Sequence, residues 1–113
     1  MIAVVKDLFF VARIRETARL MSVPLVFARA PEEVQAALTG PTRLVLLDLT
    51  AGFDYARLFT VLEAASPKPP VFAFTTHALA HQTRPLHERC ERVMTKETLT
   101  QELPVLLKEG TAA

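Results

Sequence analysis

Apolar residues gather in five short runs: Ile2 to Val5, Pro24 to Ala28, Leu44 to Leu47, Val71 to Phe74, and Val93 to Met94 with a polar edge. Several of these runs do not alternate with polar residues, which is how a strand covered on both faces reads. The stretches between them repeat differently. Phe10, Ile14, Thr17/Ala18 and Met21 fall three or four apart, as do Leu58, Val61, Leu62 and Ala65. Pro31-Glu-Glu-Val-Gln-Ala-Ala-Leu opens with Pro in a first-turn position and stops before Gly40. The chain therefore reads as strand then helix, five times over.

Strand starts lie about twenty residues apart, the length of a right-handed crossover joining parallel strands. Eight such units close a barrel and five do not. The expected fold is α/β, a doubly wound five-stranded parallel sheet of flavodoxin-like (βα)5 type in the order 2-1-3-4-5. Two prolines strain the helical pattern. Pro104 is accommodated if Thr100 caps the last helix, where first-turn N–H groups lack acceptors anyway. Pro85 lies inside Ala78 to Cys90 and should kink that helix or start a second piece near itself.

At 113 residues, the chain is the size of one domain, expected to span 1–109 with a frayed tail at 110–113. Half of the residues are hydrophobic, and 13 basic against 12 acidic groups leave a net charge of +1. That composition excludes disorder and gives no general attraction to nucleic acid or anionic lipid. The single Cys90 cannot form an internal disulfide, consistent with a reduced cytoplasmic setting. No apolar run is long enough to cross a membrane, because Lys6, Asp7, Arg13 and Arg15 interrupt the greasiest stretch. Met-Ile-Ala-Val-Val-Lys at the start reads as a strand rather than a signal peptide. Three glycines are too few for a phosphate cradle, and neither Gly-x-Gly-x-x-Gly nor Gly-x-x-x-x-Gly-Lys-Ser/Thr is present. No Ser-His-Asp or Cys-His set is recognisable, so the chain does not read as an enzyme.

In an open parallel sheet the functional crevice lies at the carboxyl ends of the strands. The sequence places Lys6 and Asp7 there after the first strand, Asp48 at the end of the third, Thr75 and Thr76 after the fourth, and Lys96 after the fifth. Each has an ordinary structural use alone: Asp7 as a helix cap, Asp48 and Thr75 as partners of loop amides, the lysines as solvated charges. Their joint placement at one edge carries the functional reading.

These residues resemble the receiver domain of two-component response regulators. Val4-Val5-Lys6-Asp7 is similar to the segment bearing its acidic pair, Leu44-Val-Leu-Leu-Asp48-Leu49 to its phosphoacceptor strand, Val71-Phe-Ala-Phe-Thr75 to its fourth strand, and Arg92-Val-Met-Thr-Lys96 to its fifth. The resemblance runs from Met1 to about Leu107. It implies Asp48, Thr75 and Lys96 as the phosphotransfer residues and Asp7 with Asp48 as holders of Mg²⁺. The departures fall at that same edge. Lys6 stands at the first acidic position, Glu97 where Pro usually follows the lysine, Val93 at the aromatic position of the fifth strand, and Thr50-Ala51-Gly52 lacks Met-Pro. With Asp7 and Asp48 set against Lys6 and Lys96, the edge sums to zero where a receiver carries −2, so Mg²⁺ is expected to bind weakly.

The reading is a receiver-like module working by protein contact, in which Lys6 and Lys96 pair with Asp48 and Asp7 and fix one conformation. A phosphorylatable single-domain response regulator is the alternative, and a small nucleotide- or flavin-binding protein a third reading. The resemblance implies a histidine kinase or another signalling protein as partner, with a homodimer as a further class. The contact surfaces would be the first helix and the region of the fourth helix, fifth strand and fifth helix. No output domain is expected in this chain. His77 with His81, and His87 with Cys90, have spacings that a metal could use, but a solvated polar helix is the expectation. Arg13, Arg15 and Arg19 around Glu16 read as a solvated face or protein contact. Of Phe9 and Phe10, one should be exposed, and Cys90 should be a small core residue.

Overall fold

A computed structural model describes residues 1–39 and 42–110. Five parallel strands, β1 (Ile2–Val4), β2 (Val26–Ala28), β3 (Val45–Asp48), β4 (Val71–Thr75) and β5 (Arg92–Thr95), form one sheet in the order β2-β1-β3-β4-β5. Five helices alternate with them: α1 (Leu8–Leu20), α2 (Pro31–Ala37), α3 (Tyr55–Ala64), α4 (Ala80–His87) and α5 (Lys96–Val105). This is the flavodoxin-like arrangement the apolar runs predict.

Strand alternation divides the core into two layers. Ala3, Leu44, Leu46, Phe74 and Met94 meet Phe10, Ile14 and Ala18 of α1 and Leu99 and Leu103 of α5. Ile2, Val4, Val45, Leu47 and Ala73 meet Val34 of α2 and Leu58, Phe59 and Leu62 of α3. Because both faces are covered, β1 and β3 are buried along their whole lengths, which is why their sequences are apolar throughout except for Asp48 at the end of β3. Full burial of a side chain such as Ile14 or Leu58 contributes roughly 1.5–3 kcal/mol before entropy is counted.

Local chemistry sets the helix boundaries, and two of them differ from expectation. The segment around Pro85 divides, but at Leu79 rather than at the proline. Thr76 accepts a hydrogen bond from the Leu79 amide and caps a 3-10 turn, His77–Leu79, and α4 then runs through Pro85. The helix ends only two residues beyond Pro85, so one missing N–H interrupts little of it. Thr100 does not cap α5. Thr95 does, accepting from the Thr98 amide, while the Thr100 hydroxyl donates to the Lys96 carbonyl. Pro104 therefore lies beyond the first turn, one residue before the end of α5, which passes into a π-helical turn, Leu106–Gly110. Of the tail expected to fray, residues 111–113 lie outside the described residues.

Candidate functional site at the carboxyl edge of the sheet

All of the strand-end residues singled out in the sequence come to the carboxyl edge of the sheet, but they divide into three groups. Asp7 and Lys96 meet directly. Asp7 precedes α1, and its Oδ1 accepts from the amides of Phe9 and Phe10 at 2.9 and 3.3 Å, capping a helix whose first turn has no other acid. Its Oδ2 accepts from Lys96 Nζ at 2.6 Å. Lys96 also lies 5.1 Å from the centre of the Phe10 ring, which itself packs edge-on against Phe74. The lysine hydrogen bond first, and then the Phe10 amide, holds the Asp7 carboxyl below the usual carboxylate range. Asp7 thus serves as both helix cap and ion-pair partner.

The second group surrounds Asp48. Its residue is 5% exposed, and its Oδ1 accepts from the amide and hydroxyl of Thr50 at 2.8 and 2.7 Å. Oδ2 has no hydrogen-bond partner among the described residues. Since no buried side-chain oxygen there lacks a partner, Oδ2 keeps contact with solvent. The main chain beside it is held by Tyr55, whose hydroxyl donates to the Asp48 carbonyl at 2.7 Å and accepts from the Ala51 amide at 3.1 Å. Gly52 turns the loop with φ at +72°, a conformation that any side chain would strain.

Lys6 closes this loop from outside and does not pair with Asp48. Its Nζ donates to the Ala51 carbonyl at 3.3 Å and lies 5.1 Å from the centre of the Phe53 ring. Of the two crossed lysine–aspartate pairs expected, the structure forms Lys96–Asp7 and replaces the other with a lysine-to-loop tether. The reason is reach and solvation: an exposed lysine satisfies its ammonium with a carbonyl, a ring face and water, without entering the nearly closed surroundings of Asp48.

Thr75 forms the third group. It is 3% exposed and follows the alternation of Val71 and Ala73, so it turns to the α4 side of the sheet. There its hydroxyl meets that of Thr83 at 3.2 Å. Thr83, Tyr55 and Phe53 were not singled out in the sequence, and His87 was considered only for its spacing to Cys90. The spacing of Thr83 and His87, four apart on one helix, was the available signal for that pair.

The remaining candidates resolve simply. Phe10 is buried and Phe9 is 91% exposed. Cys90 is half-buried, packs against the α2–α3 layer, and burial pushes its thiol up to about 11. His77 and His81 are both exposed and stand on different elements, and no group of three or more ligand side chains that could hold a metal occurs among the described residues. Arg19 pairs with Glu16, and Arg15 lies over Phe27. No described helix is long and apolar enough to cross a membrane.

The oxygens of Asp7 carry three hydrogen bonds, Asp48 Oδ1 carries two, and two ammonium groups stand nearby. Mg²⁺ needs several oxygen ligands in near-octahedral order and carboxylates to offset its dehydration. Among the described residues, Asp48 Oδ2 is the one oxygen of the two carboxylates left without a hydrogen bond, so this donor set fits it poorly.

No protein-family model matches the chain, and no curated protein matches it. Solved structures do. The receiver domain of NtrX from Brucella abortus matches with a TM-score of 0.73 at 18% identity, over 100% of this chain and 99% of that one. A longer NtrX chain from the same organism gives 0.75 at 15% identity over 98% of this chain, which spans only 26% of that protein. A CheY-like response regulator receiver domain protein from Methanospirillum hungatei JF-1 gives 0.70 at 15% identity, over 99% of this chain and 96% of that one. The chain has the fold of response-regulator receiver domains.

Proposed function

We propose that this chain is a receiver-like signalling module that works by protein–protein contact, with a degenerate phosphorylation site at Asp48. The observation that carries this reading is where the two lysines lie. Lys96 is held by Asp7, and Lys6, at the first acidic position of the receiver pattern, is tethered to the loop that follows Asp48. The edge is neutral overall, and both Asp7 oxygens and Asp48 Oδ1 are already engaged, so Mg²⁺ binds weakly and phosphotransfer suffers with it. The site then holds one conformation where a metal and a phosphoryl group would select between two. Contact would be made through α1, where Phe9 stands exposed at the edge, and through the α4–β5–α5 face. A histidine kinase or another signalling protein in the cytoplasm fits the first surface, and a second copy of the chain fits the other.

One observation favours a second reading, phosphorylation on Asp48. Its Oδ1 is pinned by Thr50 while Oδ2 is open, as an attacking oxygen must be. In that case Oδ2 forms the new bond to phosphorus as the donor's P–N bond breaks. Beryllofluoride with Mg²⁺, followed by amide NMR, separates the two. The degenerate site predicts no saturable shifts at Asp48, Thr75 and Lys96; saturable shifts there would establish the second reading.

A further inference from the structure

Among the described residues, Thr83 is one of three buried polar or charged residues, together with Asp48 and Thr75. Its hydroxyl oxygen lies 3.2 Å from Thr75 Oγ1, 3.3 Å from the Ala80 carbonyl and 2.9 Å from His87 Nε2. A hydroxyl has one proton to give, and a carbonyl can only accept. The three contacts are therefore interdependent. When His87 Nε2 is bare, its short contact takes the Thr83 proton, and Thr75 can bond Thr83 only by donating its own. When His87 carries its proton on Nε2, it donates to Thr83, which is then free to donate to Thr75. The Thr83 proton goes to Thr75 at 3.2 Å in competition with the Ala80 carbonyl at 3.3 Å, and where it goes to Thr75 the proton of Thr75 is released for another acceptor.

We propose that Thr83 is a positioning residue that fixes the Thr75 hydroxyl and ties its donor or acceptor character to the tautomer of His87 at the end of α4. This deepens the proposed function, since Thr75 stands at the edge read as the functional site. The Nε2–H tautomer leaves Thr75 able to donate to an anion there, and the Nδ1–H tautomer does not. A partner that hydrogen-bonds His87 on the half-buried end of α4 would bias the strand-end hydroxyl, and an anion at the edge would bias His87 in return.

The test uses the full chain without any phosphoryl mimic, so its outcome is separate from whether Asp48 accepts a phosphoryl group. Long-range imidazole NMR gives the His87 tautomer, and scalar couplings give the Thr75 χ1 rotamer. The native chain is expected to show one dominant tautomer and one rotamer. Thr83→Val keeps the shape but removes the hydroxyl: the Thr75 couplings should become averaged and His87 a mixture, and Thr83→Ser should restore both. His87→Leu, which spares the buried hydroxyls and serves if Thr83→Val does not fold, should shift the Thr75 and Thr76 signals. Unchanged Thr75 couplings and an unchanged His87 tautomer in Thr83→Val, a Thr83→Ser variant as disrupted as Thr83→Val, or an unmoved Thr75 in His87→Leu would each overturn the proposal.

Discussion

Replacing Lys6 changes the charge at the carboxyl edge while leaving the core alone, because Lys6 is exposed and its contacts are the Ala51 carbonyl and the Phe53 ring. A unit charge ~4 Å from a divalent ion changes its energy by ~2 kcal/mol in water and by ~8 kcal/mol at an effective dielectric of ~20. Exposure puts Lys6 near the lower figure. Lys6→Gln removes one repulsion, so the affinity for Mg²⁺ should rise by ~thirtyfold or more. Lys6→Asp adds an attraction of similar size, and the gain should approach ~thousandfold. Both variants lose the exposed cation–π contact and the loop hydrogen bond, a stability cost of ~1 kcal/mol. The assay is an Mg²⁺ titration of the three proteins at fixed ionic strength, read at the amides of Asp7, Asp48 and Thr75. A native chain that binds Mg²⁺ as tightly as Lys6→Asp, or a Lys6→Gln variant that falls outside the order native, Gln, Asp, would refute the reasoning.

Other outcomes follow from the same geometry. Asp7→Ala removes a helix cap and should destabilise the chain by ~1 kcal/mol in denaturant unfolding, whereas Asp7→Asn keeps the cap and should lose only the small exposed-pair contribution. Because the native Asp7 carboxyl lies below its ordinary range, that pair's contribution is full above the range and fades as pH falls through the depressed native value. An acid-unfolding profile that Asp7→Asn leaves unaltered would contradict this. Gly52→Ala meets no neighbouring atom, so its cost of ~1–2 kcal/mol should come from the left-handed backbone alone and lower the Tm by several degrees. Tyr55→Phe removes the hydroxyl bridging the Asp48 carbonyl and the Ala51 amide, and hydrogen exchange at Ala51 should accelerate with a loss of ~1 kcal/mol.

What the sequence made legible follows from the range of the forces involved. The strands could be read because burial on both faces leaves β1 and β3 apolar up to Asp48 at the end of β3, and strand ends locate Asp48, Thr75 and Lys96 within a residue. The direction of a long side chain could not be read. Lys6 is drawn to Ala51 and Phe53, which only the folded loop brings within reach. The Asp7–Lys96 contact, by contrast, was expected, and it forms because α5 starts at Lys96 behind the Thr95 cap. Thr83 was hidden for the opposite reason: a hydroxyl on a polar helix looks solvated until the sheet is placed beneath it. Pro85 suggested a break near itself, but the Thr76 cap moved that break to Leu79.

The most direct measurement is the intact mass of the native chain and of Lys6→Asp after incubation with a small phosphodonor and Mg²⁺. A site disabled by Lys6 predicts no adduct on the native chain and a labile acyl-phosphate adduct on Lys6→Asp. A phosphoryl adduct forming on Asp48 of the native chain at a comparable rate would contradict it.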